Sequence, residues 1–157
     1  MITLHRAAIE DFLTLAELDR AAWKRYPHGE RVPDGEHVWR LWVEHALVYC
    51  AKENDQIMGV IVAFLCRSGE WCVHKAFVHE NYRRQQIGSR LFDLLLREID
   101  GLGAGCFLTV DPANTAAIRL YEKWGFAQKQ FFKDYYRPGE DRYVMARSAG
   151  KRAATKS

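Results

Sequence analysis

The period of apolar positions changes within the first 23 residues. "ITLHRAA" alternates apolar and polar residues as a half-buried strand does, whereas from Asp11 to Trp23 apolar residues return at helical spacing, at Phe12, Leu15, Ala16, Leu18 and Trp23. "RYPHGERVPDGE", rich in proline, glycine and charge, predicts a loop, and "HVWRLWVEH" a short second helix. "ALVYCAKENDQIMGVIVAFLCRSGEWCVHKAFV" gives three apolar segments broken by turn signals at Glu53-Asn54-Asp55 and Arg67-Ser68-Gly69, the pattern of an antiparallel meander. Beyond it Ile87, Leu91, Leu94, Leu95 and Ile99 share one helical face, which "DGLGAG" ends. "CFLTV" predicts a buried strand, and "DPANTAAIRLYEKWGF" a helix with Asn114 as N-cap and Gly125 as its stop. Two aromatic strands, near Ala127 to Lys133 and Asp141 to Arg147, close a single expected domain over residues 1–147. Residues 148–157 are polar and basic with no apolar face, and a disordered tail is expected there.

Composition narrows the class. A chain of 157 residues can bury a core without help from metals or disulfides. Hydrophobic residues make up 48% and charged residues 27%, and no apolar run approaches the roughly 20 residues that span a bilayer, so a soluble protein with no membrane partner is expected. "MITLHRAAIEDF" lacks the order of a secretory signal, and four cysteines (Cys50, Cys66, Cys72, Cys106) lie singly in apolar surroundings, which points to a cytoplasmic location. A net charge of +3 is too small to argue for nucleic acid, and the basic residues cluster once, at Arg83, Arg84 and Arg90. The six histidines show neither H-x-x-x-H nor pairing with C-x-x-C, so no metal is expected.

The chemistry concentrates in "NYRRQQIGSRLFDLLL", residues 81–96, where a strand delivers the chain into a basic turn and then a helix N-terminus. Free backbone N–H groups and the helix dipole both favour an anion at such a place, phosphate above all. A solvated basic turn capping an ordinary helix fits the same residues. On the next predicted helix Asn114 and Tyr121 are seven residues apart, two turns, and share a face. They could reach one ligand, or be a plain cap and a plain core aromatic.

Together these segments resemble the GNAT superfamily of acyl-CoA-dependent N-acyltransferases, over nearly the whole chain. "YRRQQIGSRL" is similar to the family's R/Q-x-x-G-x-G/A loop, and "NTAAIRLYEKWGF" matches N-x-x-A-x-x-x-Y-x-x-x-G-F at each fixed position. The resemblance implies an α/β (α+β) fold with a central mixed, mostly antiparallel sheet of about seven strands and about four helices. It implies acetyl-CoA as co-substrate, with Arg83, Arg84, Gln85, Gln86, Ile87, Gly88 and Ser89 forming the pyrophosphate loop. Ala76, Phe77 and Val78 would offer backbone groups to the pantetheine arm, Asn114 and Ala117 would contact its side, and Tyr121 would sit near the thioester sulfur. Gln86 departs from the pattern, standing where the family places its first glycine. A turn of ordinary helical dihedrals would accept it; otherwise phosphate contacts weaken, and an inactive coenzyme-binding relative becomes thinkable.

Transfer of an acyl group to an amine needs a neutral amine, a polarised carbonyl and a proton for the departing thiolate. Tyr121, protonated at neutral pH, is the expected general acid. His74, on the strand face shared by Cys72, Ala76 and Val78, is the candidate base, or else an ordinary strand histidine. Cys72 as an acyl-carrying nucleophile is the weakest option. "FFKDYYRPGEDRYVMAR" resembles the last hairpin of protein N-terminal acetyltransferases, including the ribosomal-protein alanine type. That likeness implies that Tyr135 and Tyr136, faced by Tyr26, contact a peptide N-terminus. The early loop does not match those enzymes, so small amines (polyamines, amino sugars, drug-like amines) stay open as acceptors, as does a homodimer.

Overall fold

The computed structural model describes residues 1–23 and 33–150. Seven strands and four α-helices follow in the order β1 (Thr3–Arg6), α1 (Phe12–Trp23), α2 (Glu36–His45), β2 (Leu47–Glu53), β3 (Gln56–Leu65), β4 (Trp71–Val78), α3 (Ile87–Gly101), β5 (Cys106–Val110), α4 (Thr115–Lys123), β6 (Gln128–Phe132) and β7 (Arg142–Arg147). The strands form one sheet in the order β1-β2-β3-β4-β5-β7-β6. The chain forms two compact units, one of Met1–Phe64 with Lys75–Leu96 and one of Leu65–His74 with the chain from Arg97 onward. Strand β4 contributes to both. No helix among the described residues is long and apolar enough to cross a membrane.

In the first unit β1 pairs antiparallel with β2, and β2 with β3, where Val48 faces Val62 and Cys50 faces Val60. Strand β3 is buried at seven successive positions, so its apolar run is continuous rather than alternating, as expected for a strand covered on both faces. One face carries Val48, Cys50, Val60 and Val62, which pack with Leu15 and Ala16 of α1 and Trp39 and Val43 of α2. Each large side chain fully buried this way contributes roughly 1.5–3 kcal/mol. The other face carries Gly59. A Cβ there would stand 3.2 Å from Ile87 Cγ2, from the Phe77 carbonyl oxygen and from Val78 Cγ2, so the missing side chain lets the end of β4 and the start of α3 close over β3.

In the second unit the first half of β4 runs parallel to β5, with Trp71 opposite Cys106 and Cys72 opposite Phe107, while β5 pairs antiparallel with β7 along its whole length and β7 with β6. Asn114 caps α4 by accepting a hydrogen bond from the Ala117 N–H at 3.1 Å, and Gly125, at φ +89°, turns the chain out of the helix toward the fully buried Phe126. Arg147 of β7 ties the helix ends together. Its Nη1 and Nη2 donate to the two oxygens of Asp100, at 2.6 and 2.8 Å, and its Nε donates to the Trp124 carbonyl at 2.8 Å. The Gly150 N–H donates to the same carboxylate at 2.9 Å. That bond engages Gly150, which falls within the stretch expected to form a loose tail. Residues 151–157 lie outside the described residues.

The Arg147 bond, with help from the Gly150 N–H, holds the Asp100 carboxyl below its ordinary value. Its contribution to stability is therefore complete above the unfolded-state value, near pH 4, and is lost as pH falls through the lower folded-state value. Asp100→Asn is expected to lower stability by about 1–3 kcal/mol at pH 7 and to flatten the acid limb of the melting temperature against pH; an unchanged acid limb would assign that limb to other carboxylates.

Candidate active site

Strand β4 leads out of the sheet through His79, whose N–H donates to the Met58 carbonyl at 2.8 Å, into a single turn at Glu80–Tyr82 and then the basic loop. Two residues of that loop take the left-handed conformation, Arg84 at φ +65° and Gln86 at φ +58°. The chain then enters α3, whose first intrahelical hydrogen bond runs from the Arg90 N–H to the Gln86 carbonyl at 3.0 Å. The N–H groups of Ile87, Gly88 and Ser89 thus precede the first α-helical bond and point out of the helix start, the arrangement that receives phosphate. Gly88 is not forced by the fold, because a Cβ there would meet only Val78 Cγ2 at an ordinary 3.7 Å.

Of the two alternatives for Gln86, the φ of +58° excludes a turn of ordinary helical dihedrals. Gln86 holds the backbone shape that a glycine would adopt freely, at a cost of roughly 1–2 kcal/mol for carrying a Cβ into the left-handed region. Sequence reasoning placed the departure but not its consequence, since the shape is imposed by where β4 ends and α3 must begin.

Beside this loop an open depression lies between the C-terminal part of α1, with Leu18, Ala21 and Ala22, and the end of β4, with Phe77 and Val78, bordered by Arg83 of the basic loop. Phe77 also sets its ring edge-on to Trp39, with centroids 6.2 Å apart. Within the same unit lies Lys75, half-buried on β4 and paired with Asp19 of α1, which the sequence did not single out.

The second unit carries the other candidates. Tyr121, partly buried on α4, meets the rings of Trp124 and Phe126 with centroids at 6.4 and 6.1 Å, and burial pushes its phenol above the ordinary value, so it carries its proton at neutral pH. The oxygen of Asn114 and the N–H of Ala117 are bonded to each other in the helix cap, which leaves the Asn114 amide nitrogen and the Ala117 methyl as what these residues can offer a ligand. His74 is exposed near the end of the first half of β4. On the β6–β7 hairpin the Tyr135 and Tyr136 rings stack edge to face at 4.8 Å, both with substantial exposure, and Arg142 stands over Tyr136 at 5.1 Å. The Tyr136 hydroxyl lies 3.0 Å from Thr109 Oγ1 of β5, a partner with no motif to reveal it. Burial first, then Tyr136 and Cys72, raise the Tyr135 phenol. Tyr26 lies outside the described residues.

Burial pushes the Cys72 thiol up to about 12, with Cys66 and Cys106 adding to the shift, so a thiolate nucleophile finds no support there. One group of side chains among the described residues could share a cation: His5, Asp11 and Cys50, whose donor atoms lie within 4.8 Å of one another. Its carboxylate is already engaged, however. Asp11 accepts from the Lys52 ammonium and, at 2.9 Å, from the Ala8 N–H, while burial and the Asp11 charge push the Cys50 thiol up to about 11.

The Acetyltransferase (GNAT) family pattern matches residues 12–126, which takes in both units and every element from α1 to the end of α4. The chain belongs to the GNAT acetyltransferase family. Among relatives, it is 37% identical over 124 residues to an N-alpha-acetyltransferase of Sulfurisphaera tokodaii, covering 68% of this chain and 74% of that protein. The chain spans 42% to 74% of the length of the curated relatives it matches. In fold it is similar to the ribosomal-protein-S18-alanine N-acetyltransferase of Escherichia coli, at 22% identity and a TM-score of 0.78, covering 100% of this chain and 99% of that one. It is similar also to Arabidopsis thaliana Naa50 in complex with a bisubstrate analogue, CoA-Ac-MVNAL, at 22% identity and a TM-score of 0.73, covering 94% and 98%. The basic loop before α3 takes its left-handed turn with Gln86 at the position where the resemblance implied a glycine.

Gln86→Gly is expected to stabilise the GNAT fold by up to about 1 kcal/mol, the relief of left-handed strain less the added freedom of the unfolded chain. A chemical melt measures it; a lowered midpoint would mean that the Gln86 side chain makes contacts worth more than the strain.

Proposed function

We propose that the protein transfers an acetyl group from acetyl-CoA to a primary amine by direct attack on the thioester, and that the amine is the N-terminus of a protein or peptide. The observation that carries this reading is the left-handed turn at Arg84 and Gln86 opening onto the amide groups of Ile87, Gly88 and Ser89. Those amides, with the Arg83 and Arg84 side chains, receive the pyrophosphate. Gln85, on the same turn, borders it. The strand end Ala76–Phe77–Val78 takes the pantetheine arm along its backbone, and Asn114 and Ala117 flank that arm.

Attack by a neutral amine on the thioester carbonyl forms the N–C bond, and collapse of the tetrahedral intermediate breaks the C–S bond. The departing thiolate, of solution pKa about 8.5, takes a proton from the Tyr121 hydroxyl, and the ammonium proton of the tetrahedral intermediate passes to a base, His74 directly or through water. The raised phenol of Tyr121 fits an acid that must stay protonated until sulfur carries charge. An α-amino acceptor, of pKa about 8, is already neutral in roughly a tenth of molecules at pH 7 and asks little of that base. Tyr135 and Tyr136 present exposed phenols on the hairpin that would line the peptide's path. The relatives named N-alpha-acetyltransferase support the choice of an α-amine.

Thiol release from acetyl-CoA, measured against a panel of peptides with different N-termini and of small amines, tests the reading. Release with peptides is expected; tight coenzyme binding with no release across the panel would make the protein a coenzyme-binding module instead. Tyr121→Phe should lower kcat by about 10²–10⁴-fold while leaving coenzyme affinity near wild type, and an unchanged kcat would remove Tyr121 as the acid.

A further inference from the structure

A lysine inside a box of tryptophans is unusual in a strand. Lys75 of β4 is 9% exposed at its side chain, and its ammonium lies 2.7 Å from Asp19 Oδ2 and is also paired with the Asp34 carboxylate. The rings of Trp23, Trp39 and Trp42 surround it, with centroids at 5.4, 6.0 and 6.0 Å. Asp19 has no exposure at all, and the same Oδ2 accepts from Trp39 Nε1 at 3.0 Å and from the Asp34 N–H at 3.1 Å. Asp19 Oδ1 is buried without a hydrogen-bond partner among the described residues. Removing ions from water is costly, and apolar side chains of similar volume would hold two elements together at least as firmly. What an apolar contact lacks is direction: it resists separation but allows sliding, whereas a desolvated, multiply bonded carboxylate fixes a distance and a register.

The register matters because of what adjoins it. Leu18 precedes Asp19 on α1, Ala21 and Ala22 follow it, and these residues form one wall of the open depression; Phe77 and Val78, just beyond Lys75 on β4, form the other. The ion pair therefore joins the two elements whose separation is the width of that depression. We infer that Lys75 is a positioning residue which, through Asp19, sets the gap between α1 and the end of β4 and so the fit of the coenzyme's arm against Phe77 and Val78. This rests on the coenzyme reading proposed above.

Lys75→Met keeps the length of the side chain and its contact with the indole rings but removes the charge. The KM for acetyl-CoA and the Kd for coenzyme A are expected to rise about tenfold while kcat stays within about twofold, and the tryptophan emission to shift as the box loosens. Lys75→Arg, which keeps the cation, should recover part of the loss. If Lys75→Met does not melt cooperatively, Asp34→Asn, at a partner that is 30% exposed, and the neutralised pair Lys75→Met with Asp19→Asn give the same readout. Folded variants with wild-type KM, or with kcat falling at unchanged KM, would overturn the inference. A wild-type protein that fails to bind coenzyme A would instead overturn the reading of the site itself.

Discussion

The first turn of α3 is the constraint on which the rest depends. A helix that begins in the interior of a site leaves three amide donors without intrahelical partners, and burial without a ligand or water would be costly. Here the donors open outward, because the chain reverses through two left-handed residues, Arg84 and Gln86, before Ile87 locks onto the sheet. A Cβ on Gly59 of β3 would crowd Ile87 Cγ2 at 3.2 Å, so the bare glycine eases that approach. A glycine deep in a strand and a glutamine in a strained turn thus both bear on where the helix begins.

The same unit shows how polar groups are used where apolar ones would suffice for stability. Asp19 accepts from an indole, a backbone amide and an ammonium, which ties the end of α1 and the approach to α2 to the middle of β4. In the second unit Arg147 plays a comparable part, joining the end of α3 to the end of α4 through one carboxylate and one carbonyl. In both cases a charged side chain fixes the placement of a helix terminus next to residues with proposed roles.

Much of the fold was legible because its elements announce themselves locally. The switch from period two to helical spacing after β1, the Asn54–Asp55 turn, the Asn114 cap and Gly125 at φ +89° all act within a few residues of themselves. The basic loop and the Asn114–Tyr121 spacing were legible as motifs for the same reason. What sequence could not give is anything that depends on residues far apart in the chain. Lys75 reads as one polar position in an apolar strand, and only the fold brings it to Asp19 and three tryptophans. Tyr136 and Thr109 are 27 residues apart, and Gly150 meets Asp100 across 50. The dihedral of Gln86 belongs to this group too, since it is dictated by the path between β4 and α3 and runs against the residue's own preference.

The amides of Ile87, Gly88 and Ser89 can be observed one by one. Titrating coenzyme A into isotope-labelled protein while following the backbone amide resonances reads their part in binding. These three resonances are expected to move downfield together, with the largest shifts in the chain and one shared affinity, and pantetheine, which lacks the diphosphate, is expected to leave them in place. Coenzyme A binding that shifts other amides while these three stay still would contradict that role.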